Sequence, residues 1–384
     1  MTTWSTASLG DAAVITAGQS PRGDQILDTP ATYPFHQGVR DFGRWRPKTR
    51  TYCDSPPRLA EAGDVLISVR APIGRVNVAT TTVGIGRGLM SLRGGALLET
   101  TFLAYFLESL KPRWNEFESS GSVFANLGRS DLANIQIPLP AIEEQRAIAA
   151  TLGALDDKIE SNSRAQWLME QLVRTEFDRW FSAVHDPTGT AISDLISVNP
   201  RRSLARDLLA TYVGMTSLPE HSAVISEWET KEFGSGQKFA NGDVLMARIT
   251  PCLENGKTAV VDMLRDDEVG WGSTEYVVLA PQGQISTPWI YCLVRSEPVR
   301  SFAIRSMTGT SGRQRFQASA FDTYRVAAPT ESELRAFNEI ATPLFERMTL
   351  LRDENRVLAS MRDLLLPELI SGRIRIPMAP EVVS

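Results

Sequence analysis

A chain that repeats itself over most of its length must fold as two versions of one unit, and this chain does so. Gly63-Asp64-Val65-Leu66, followed by Pro72, returns as Gly242-Asp243-Val244-Leu245, followed by Pro251. The echo continues in order. Val83-Gly84-Ile85-Gly86 recurs as Val269-Gly270-Trp271-Gly272. Thr101, Tyr105, Leu107 and Pro112 recur as Thr287, Tyr291, Leu293 and Pro298, the Gly121 loop as the Gly309 loop, and Pro140 as Pro329. A single tetrapeptide match would be chance, but a collinear series is a duplication. Two long copies do not make a solenoid, which needs several short units, so two similar domains in a pseudo-twofold arrangement are expected.

Within each copy a β-rich, glycine-punctuated part precedes a long helical part. Short apolar runs bounded by Gly and Pro read as strands: Asp64–Arg70, Val76–Thr80, Leu89–Leu92 and Asn134–Leu139, then Asp243–Arg248, Thr258–Val261 and Tyr276–Leu279. Helices are expected at Phe102–Leu110 and about Trp289–Arg295. After Pro140 the period changes. Ile148, Leu152, Leu155, Ile159, Asn162, Gln166, Met169, Val173, Glu176 and Trp180 alternate steps of four and three, which is a heptad seam. After Pro329 the pattern returns through Leu334, Phe337, Ala341, Leu344, Met348, Leu351, Asn355, Leu358, Arg362, Leu365 and Leu369.

The expected fold class is therefore α+β: two β-rich domains joined by two long antiparallel coiled-coil helices. The segments are 1–140, a first helix over 141–186, a second domain over 187–329, a second helix over 330–376 and a tail of 377–384. Asn162 and Asn355 both fall on the seam, where a polar residue costs stability but fixes register. Pro343 should kink or split the second helix. Asp186-Pro187-Thr188-Gly189 reads as the turn that ends the first helix.

Composition narrows the class. The three cysteines, Cys53, Cys252 and Cys292, are scattered, and the three histidines are far apart, so neither a disulfide framework nor a metal site is indicated. No run approaches a membrane span and no secretory signal is visible at Met1, so a cytoplasmic protein is expected. The net charge of −5 is unevenly spread: +2 over 1–140, −4 over 141–186, −1 over 187–329 and −2 over 330–384. Basic runs lie inside the repeats, at Arg40, Arg44, Arg46, Lys48, Arg50 and Arg58, then Arg295, Arg300, Arg305, Arg313, Arg315 and Arg325. Such patches, rather than net charge, supply phosphate contacts.

Catalytic signatures fail one by one. Asn255-Gly256-Lys257-Thr258 imitates the end of a phosphate-binding loop, but Pro251 stands where the first glycine belongs. Gly84-Ile85-Gly86-Arg87-Gly88 lacks the third dinucleotide-binding glycine, and its counterpart suggests a turn at a strand end. Asn199-Pro200 is followed by Arg201, not by the Pro-aromatic pair of amino-methyltransferases.

What remains resembles the specificity subunits of type I restriction–modification systems. The resemblance rests on Leu9-Gly10-Asp11 with Gly18-Gln19-Ser20-Pro21, the two Gly-Asp-Val-Leu strands, Ile137-Pro138-Leu139-Pro140-Ala141-Ile142-Glu143-Glu144-Gln145-Arg146, and Arg362 through Ile374. One departure is visible: the second helix opens Thr330-Glu331-Ser332-Glu333. The resemblance implies a non-catalytic subunit whose two target-recognition domains each read half of a bipartite double-stranded DNA site. It implies that the helices set the spacer and dock two modification subunits, with restriction subunits joining that core. No cofactor is then expected on this chain; S-adenosylmethionine, ATP and Mg2+ belong to the partner subunits. The alternatives are a methylation-only or type IIG-like assembly and a methyltransferase in its own right.

Base readout needs forked donors and amides, chiefly Arg on guanine and Asn or Gln on adenine. The candidates in the first domain are Gln19, Arg44, Arg46, Lys48, Arg70, Arg75, Asn77, Arg87, Asn126 and Arg129. In the second they are Arg248, Asn255, Lys257, Thr274, Arg313, Gln314 and Arg315, the loop Gly309–Arg315 being foremost.

Overall fold

The computed structural model describes residues 4–114, 126–181, 185–310 and 312–377. The chain divides into two compact units, residues 1–158 with 358–384 and residues 159–357. This cuts across the expected segmentation. Each long helix is shared, its outer part counted with the globular elements it covers.

Unit 1 holds two four-stranded sheets and a strand pair. One sheet runs in the order Ala13–Ala17, Leu89–Gly94, Val65–Ser68, Val76–Val78; the other runs Thr51–Cys53, Tyr33–His36, Val83–Ile85, Leu59–Ala60. Ser5–Ser8 pairs antiparallel with Gln136–Leu139. Unit 2 has the same plan: Ser197–Val198, Tyr276–Ala280, Val244–Ala247, Thr258–Val260, and Glu229–Glu232, Leu209–Val213, Gly270–Gly272, Gln237–Phe239. In each second sheet one pair is parallel, Phe35 against Gly84 and Tyr212 against Trp271. The duplication thus reaches beyond the residues whose identities repeat.

The repeated tetrapeptide is explained by a turn. Asp64 N donates to the Glu61 carbonyl at 3.0 Å and Asp243 N to that of Ala240 at 3.1 Å. Gly63 and Gly242 take φ of +89° and +88°, which a side chain would strain. Each aspartate then caps its own turn, Asp64 accepting from Glu61 N at 2.9 Å and Asp243 from Ala240 N at 2.8 Å. Each is also held by an arginine, Arg93 and Arg202 respectively. The Val-Leu that follows is fully buried in both units. The peptides before Pro72 and Pro251 are both cis.

The short helices fall at Thr100–Ser109 and Thr287–Arg295, and the long ones at Ile142–Trp180 and Glu331–Ile370. The first ends earlier than expected. Asp186-Pro187-Thr188-Gly189 is not a separate turn but part of the strand His185–Ala191, which pairs irregularly with Arg325–Val326. Thr188 N bonding back to Asp186 Oδ1 at 2.8 Å makes the irregularity. Pro343 does not split the second helix. Both Pro343 and Glu339, whose carbonyl loses its donor, are exposed, so water can replace the missing bond. The departing sequence at the second helix start is a capping box: Glu333 N donates to Thr330 Oγ1 at 3.3 Å and Thr330 N to Glu333 Oε2 at 2.8 Å. Gly372 at φ +71° ends that helix.

Of the seam, Ile148, Leu152, Ile159, Asn162 and Val173 are buried and Leu155, Gln166 and Met169 half-buried, but the seam does not hold to its expected end. Trp180 is 38% exposed, and Phe177 takes its place in the core, touching the rings of Phe181, Trp289 and Phe337. Within unit 2 the helices are antiparallel: Asn162 Nδ2 donates to Asn355 Oδ1 at 3.0 Å and to Glu354 at 2.9 Å, and Gln166 donates to the Met348 carbonyl at 2.7 Å. Within unit 1, Arg362 donates to Asp156 at 2.6 Å and Arg375 to Glu144 at 3.3 Å. No described helix is long and apolar enough to cross a membrane.

Candidate nucleic-acid interface

The parallel pairing of Tyr33–His36 with Val83–Ile85 brings together the residues that follow each strand. His36 and Gly86 are hydrogen-bonded through their backbones at 2.8 Å, so Gln37–Arg40 lies beside Arg87-Gly88. A Cβ on Gly88 would stand 2.3 Å from the Gln37 carbonyl, so only glycine lets these walls approach. The result is a cleft of about 420 Å3 lined by Ser20, Gln37, Gly38, Val39, Arg40, Arg70, Ala71, Pro72, Arg87 and Gly88. Arg70 and Arg87 are exposed, and the Arg40 side chain is 67% exposed. Arg87 donates from N and Nε to Ser20 Oγ at 3.3 and 3.4 Å, and Gln37 Nε2 reaches the same hydroxyl at 3.3 Å. Arg70 bridges to Asn126, which is exposed.

Of the first-domain candidates, the cleft gathers Arg70 and Arg87. Gln19, Arg75 and Arg129 are exposed but do not line it. Ser20, Gln37 and Arg40 line it without having been singled out as DNA contacts; Ser20 stood in the Gly18–Pro21 motif and Arg40 in the basic run, while Gln37 carried no sequence signal. Asn77 is a correction. It is 1% exposed, and its amide accepts from Gly43 N at 3.2 Å and donates to the carbonyls of Gly43 and Val76. It fastens a hairpin and has no edge left for a base. Arg44 and Arg46 turn to the first long helix, lying 3.9 Å from Asp156 and 3.7 Å from Asp157. Burial, and then the neighbouring Arg362, push the Arg44 guanidinium below its usual range against the pull of Asp156. Lys48 is exposed on the same segment. The Gly121 loop lies outside the described residues.

In unit 2 the corresponding surface is differently charged. Arg315 grips Glu275 with Nε at 2.9 and 3.0 Å from its two oxygens, and Arg248 Nε donates to Glu275 at 3.2 Å. Hydrogen bonding from Arg315, then from Arg248, draws the Glu275 carboxyl below its usual range. Arg313 and Thr274 are exposed. Thr250 N donates to the Gln314 carbonyl at 3.1 Å, laying the loop onto the segment before Pro251. Ser311 of that loop lies outside the described residues. Asn255 is exposed and donates to Glu220 at 3.1 Å, while Lys257 Nζ turns inward to the Met215 carbonyl at 2.7 Å. Among the described residues no cluster of His, Cys, Asp or Glu is placed to hold a metal ion.

Beneath the cleft His36 is 1% exposed. Burial lowers its pKa from 6.5, and Asp41 offsets part of that. The unfolded chain therefore binds a proton more readily than the folded one, and stability falls as pH drops below the unfolded value. Thermal unfolding between about pH 7 and pH 5 should show unit 1 losing stability, with a shallower slope in His36→Gln. An identical slope in that variant would show that His36 is not its source.

Residues 1–167 match the family model described as the type I restriction modification DNA specificity domain. The chain is thus similar, over its first part, to the DNA specificity domain of type I restriction–modification systems. It is similar to two proteins of Methanocaldococcus jannaschii. One is the putative type I restriction enzyme MjaX specificity subunit, 37% identical over 44% of this chain and 40% of that one. The other is the type I restriction enzyme MjaIX specificity subunit, 22% identical over 83% of this chain and 79% of that one. The match to the first thus spans less than half of that relative's length. In fold, the type I restriction–modification S subunit of M. genitalium superposes with a TM-score of 0.59 at 16% identity, covering 98% of this chain and 97% of that one.

Proposed function

We propose that this chain is the non-catalytic DNA-reading subunit of a type I restriction–modification complex, each unit reading one half of a bipartite site. The observation that carries the reading is the unit 1 cleft, where the donors of Arg40, Arg70 and Arg87 converge with the Gln37 amide and the Ser20 hydroxyl. Forked cations and an amide are the groups that read base edges in the major groove, and exposed arginines also hold phosphates. Unit 2 supplies Arg313 and Thr274 beside an Arg248–Glu275–Arg315 cluster, a different set of donors and acceptors suited to a different sequence. In this reading the paired helices set the number of base pairs between the half-sites and dock two modification subunits. Restriction subunits complete the cytoplasmic assembly; S-adenosylmethionine, ATP and Mg2+ are bound by the partners.

The test is reconstitution. The purified chain should neither methylate nor cut DNA, while the complex with its modification subunits and S-adenosylmethionine should methylate a bipartite site. Methyl transfer by the chain alone, or a complex without sequence preference, would remove the adaptor reading.

A further inference from the structure

One wall of the unit 1 cleft is tied, link by link, to a carboxylate on the first long helix. Asp156 is 5% exposed. It accepts from the Tyr105 hydroxyl at 2.9 Å and from Arg362 at 2.6 Å. Tyr105, itself fully buried, stacks on Trp45 with ring centroids 4.7 Å apart and planes 20° apart. Trp45 sits at the tip of a hairpin closed by Gly43 N on the Arg46 carbonyl at 3.0 Å, and its own carbonyl accepts from Val78 N at 2.9 Å. At the hairpin base, Lys48 N donates to the Asp41 carbonyl at 2.7 Å. The buried Asp41 carboxylate in turn accepts from Gln37 N at 2.7 Å. Gln37 and Arg40 are the cleft wall.

We infer that Asp156 and Tyr105 are positioning residues for DNA reading: the helix carboxylate, through the stacked Trp45 hairpin, fixes the Gln37–Arg40 wall against Arg70 and Arg87. Readout requires donors placed to a fraction of an ångström, and a wall made of loop achieves that only when something rigid holds it. Arg44 at Asp156 and Arg46 at Asp157 serve the same clasp rather than the DNA. In unit 2 the repeated tyrosine also bonds to a buried carboxylate. Tyr291 donates to the buried Glu170 of the first long helix at 2.6 Å, and Glu170 also accepts from Ala223 N at 3.0 Å.

The inference rests on the DNA-reading function proposed above, and its test separates the two. Complexes assembled with the unaltered chain, with Tyr105→Phe and with Asp156→Asn are titrated with duplexes carrying single base changes in either half-site. Tyr105→Phe removes the hydroxyl and keeps the ring on Trp45, so it preserves packing even where Asp156→Asn does not assemble. The expected result is that discrimination in the half-site read by unit 1 falls by roughly 5-fold or more, while discrimination in the other half-site stays as it was. A lower melting temperature with discrimination intact, or an equal loss at both half-sites, overturns the positioning role. An unaltered complex with no preference at either half-site overturns the DNA reading and the positioning role with it.

Discussion

Replacing Arg352 by alanine is expected to destabilise unit 2 by about 3–5 kcal/mol, the usual cost of stranding one partner of a buried ion pair. Arg352 is 4% exposed. It bonds to Asp262 and, at 2.9 Å, to Asp353, with its guanidinium 5.3 Å from the Trp228 ring. Alanine leaves the Asp262 carboxylate with the Thr349 hydroxyl as its other partner. Burial already pushes Asp262 above the usual carboxylate range, Arg352 pulling it back only in part. Desolvation therefore outweighs attraction at that carboxyl, and the paired change Asp262→Leu with Arg352→Met should come close to neutral. Denaturant unfolding of the three chains checks both statements. A single-alanine loss under about 1 kcal/mol would place the pair among weak surface bridges.

The second large effect is on DNA. Changing Arg70 and Arg87 together to alanine should weaken specific binding by the assembled complex roughly 30-fold or more, since each well-made base contact is worth about 1–3 kcal/mol. Titration over a range of salt separates the roles. A base-reading arginine, once lost, relaxes one position of the half-site. A phosphate-holding arginine weakens all sequences alike and reduces the salt slope by about one unit. Binding and salt slope unchanged in the double variant would remove the cleft from the interface.

Much of the scaffold was legible because it is written in local signals. The Gly-Asp-Val-Leu turn needs a positive φ, a capping carboxylate and two buried apolar residues in succession, and each demand leaves a residue. The heptad seam, and the Asn162–Asn355 meeting on it, follow from a period alone. The cleft was only half legible. Arg70 and Arg87 stand in short loops between strands, but Gln37 and Ser20 reach them through a parallel pairing and a close glycine contact that no short window contains. Asn77 misled because alternation marks a strand without saying which neighbour covers a residue. Arg44, Arg46 and Arg315 looked like donors awaiting DNA because their carboxylate partners, Asp156, Asp157 and Glu275, lie far away in sequence or, like Glu275, look unremarkable in it. Trp180 and Pro343 show the limit of periodicity. A seam ends where Phe177 fits the core better, and an exposed proline on a long helix costs one hydrogen bond that water can replace.

At the edge of unit 1, Trp4 packs over Gly372, lies 4.9 Å below the Arg375 guanidinium, and donates to Glu144 at 3.2 Å. The first and last described segments are thus neighbours in space, on the same unit that holds residues 126–158. The linear order of the gene is then only one way to thread this unit. A chain opened at an exposed loop elsewhere and joined by a short peptide across Trp4 and Ile376 would present the same side chains in the same places.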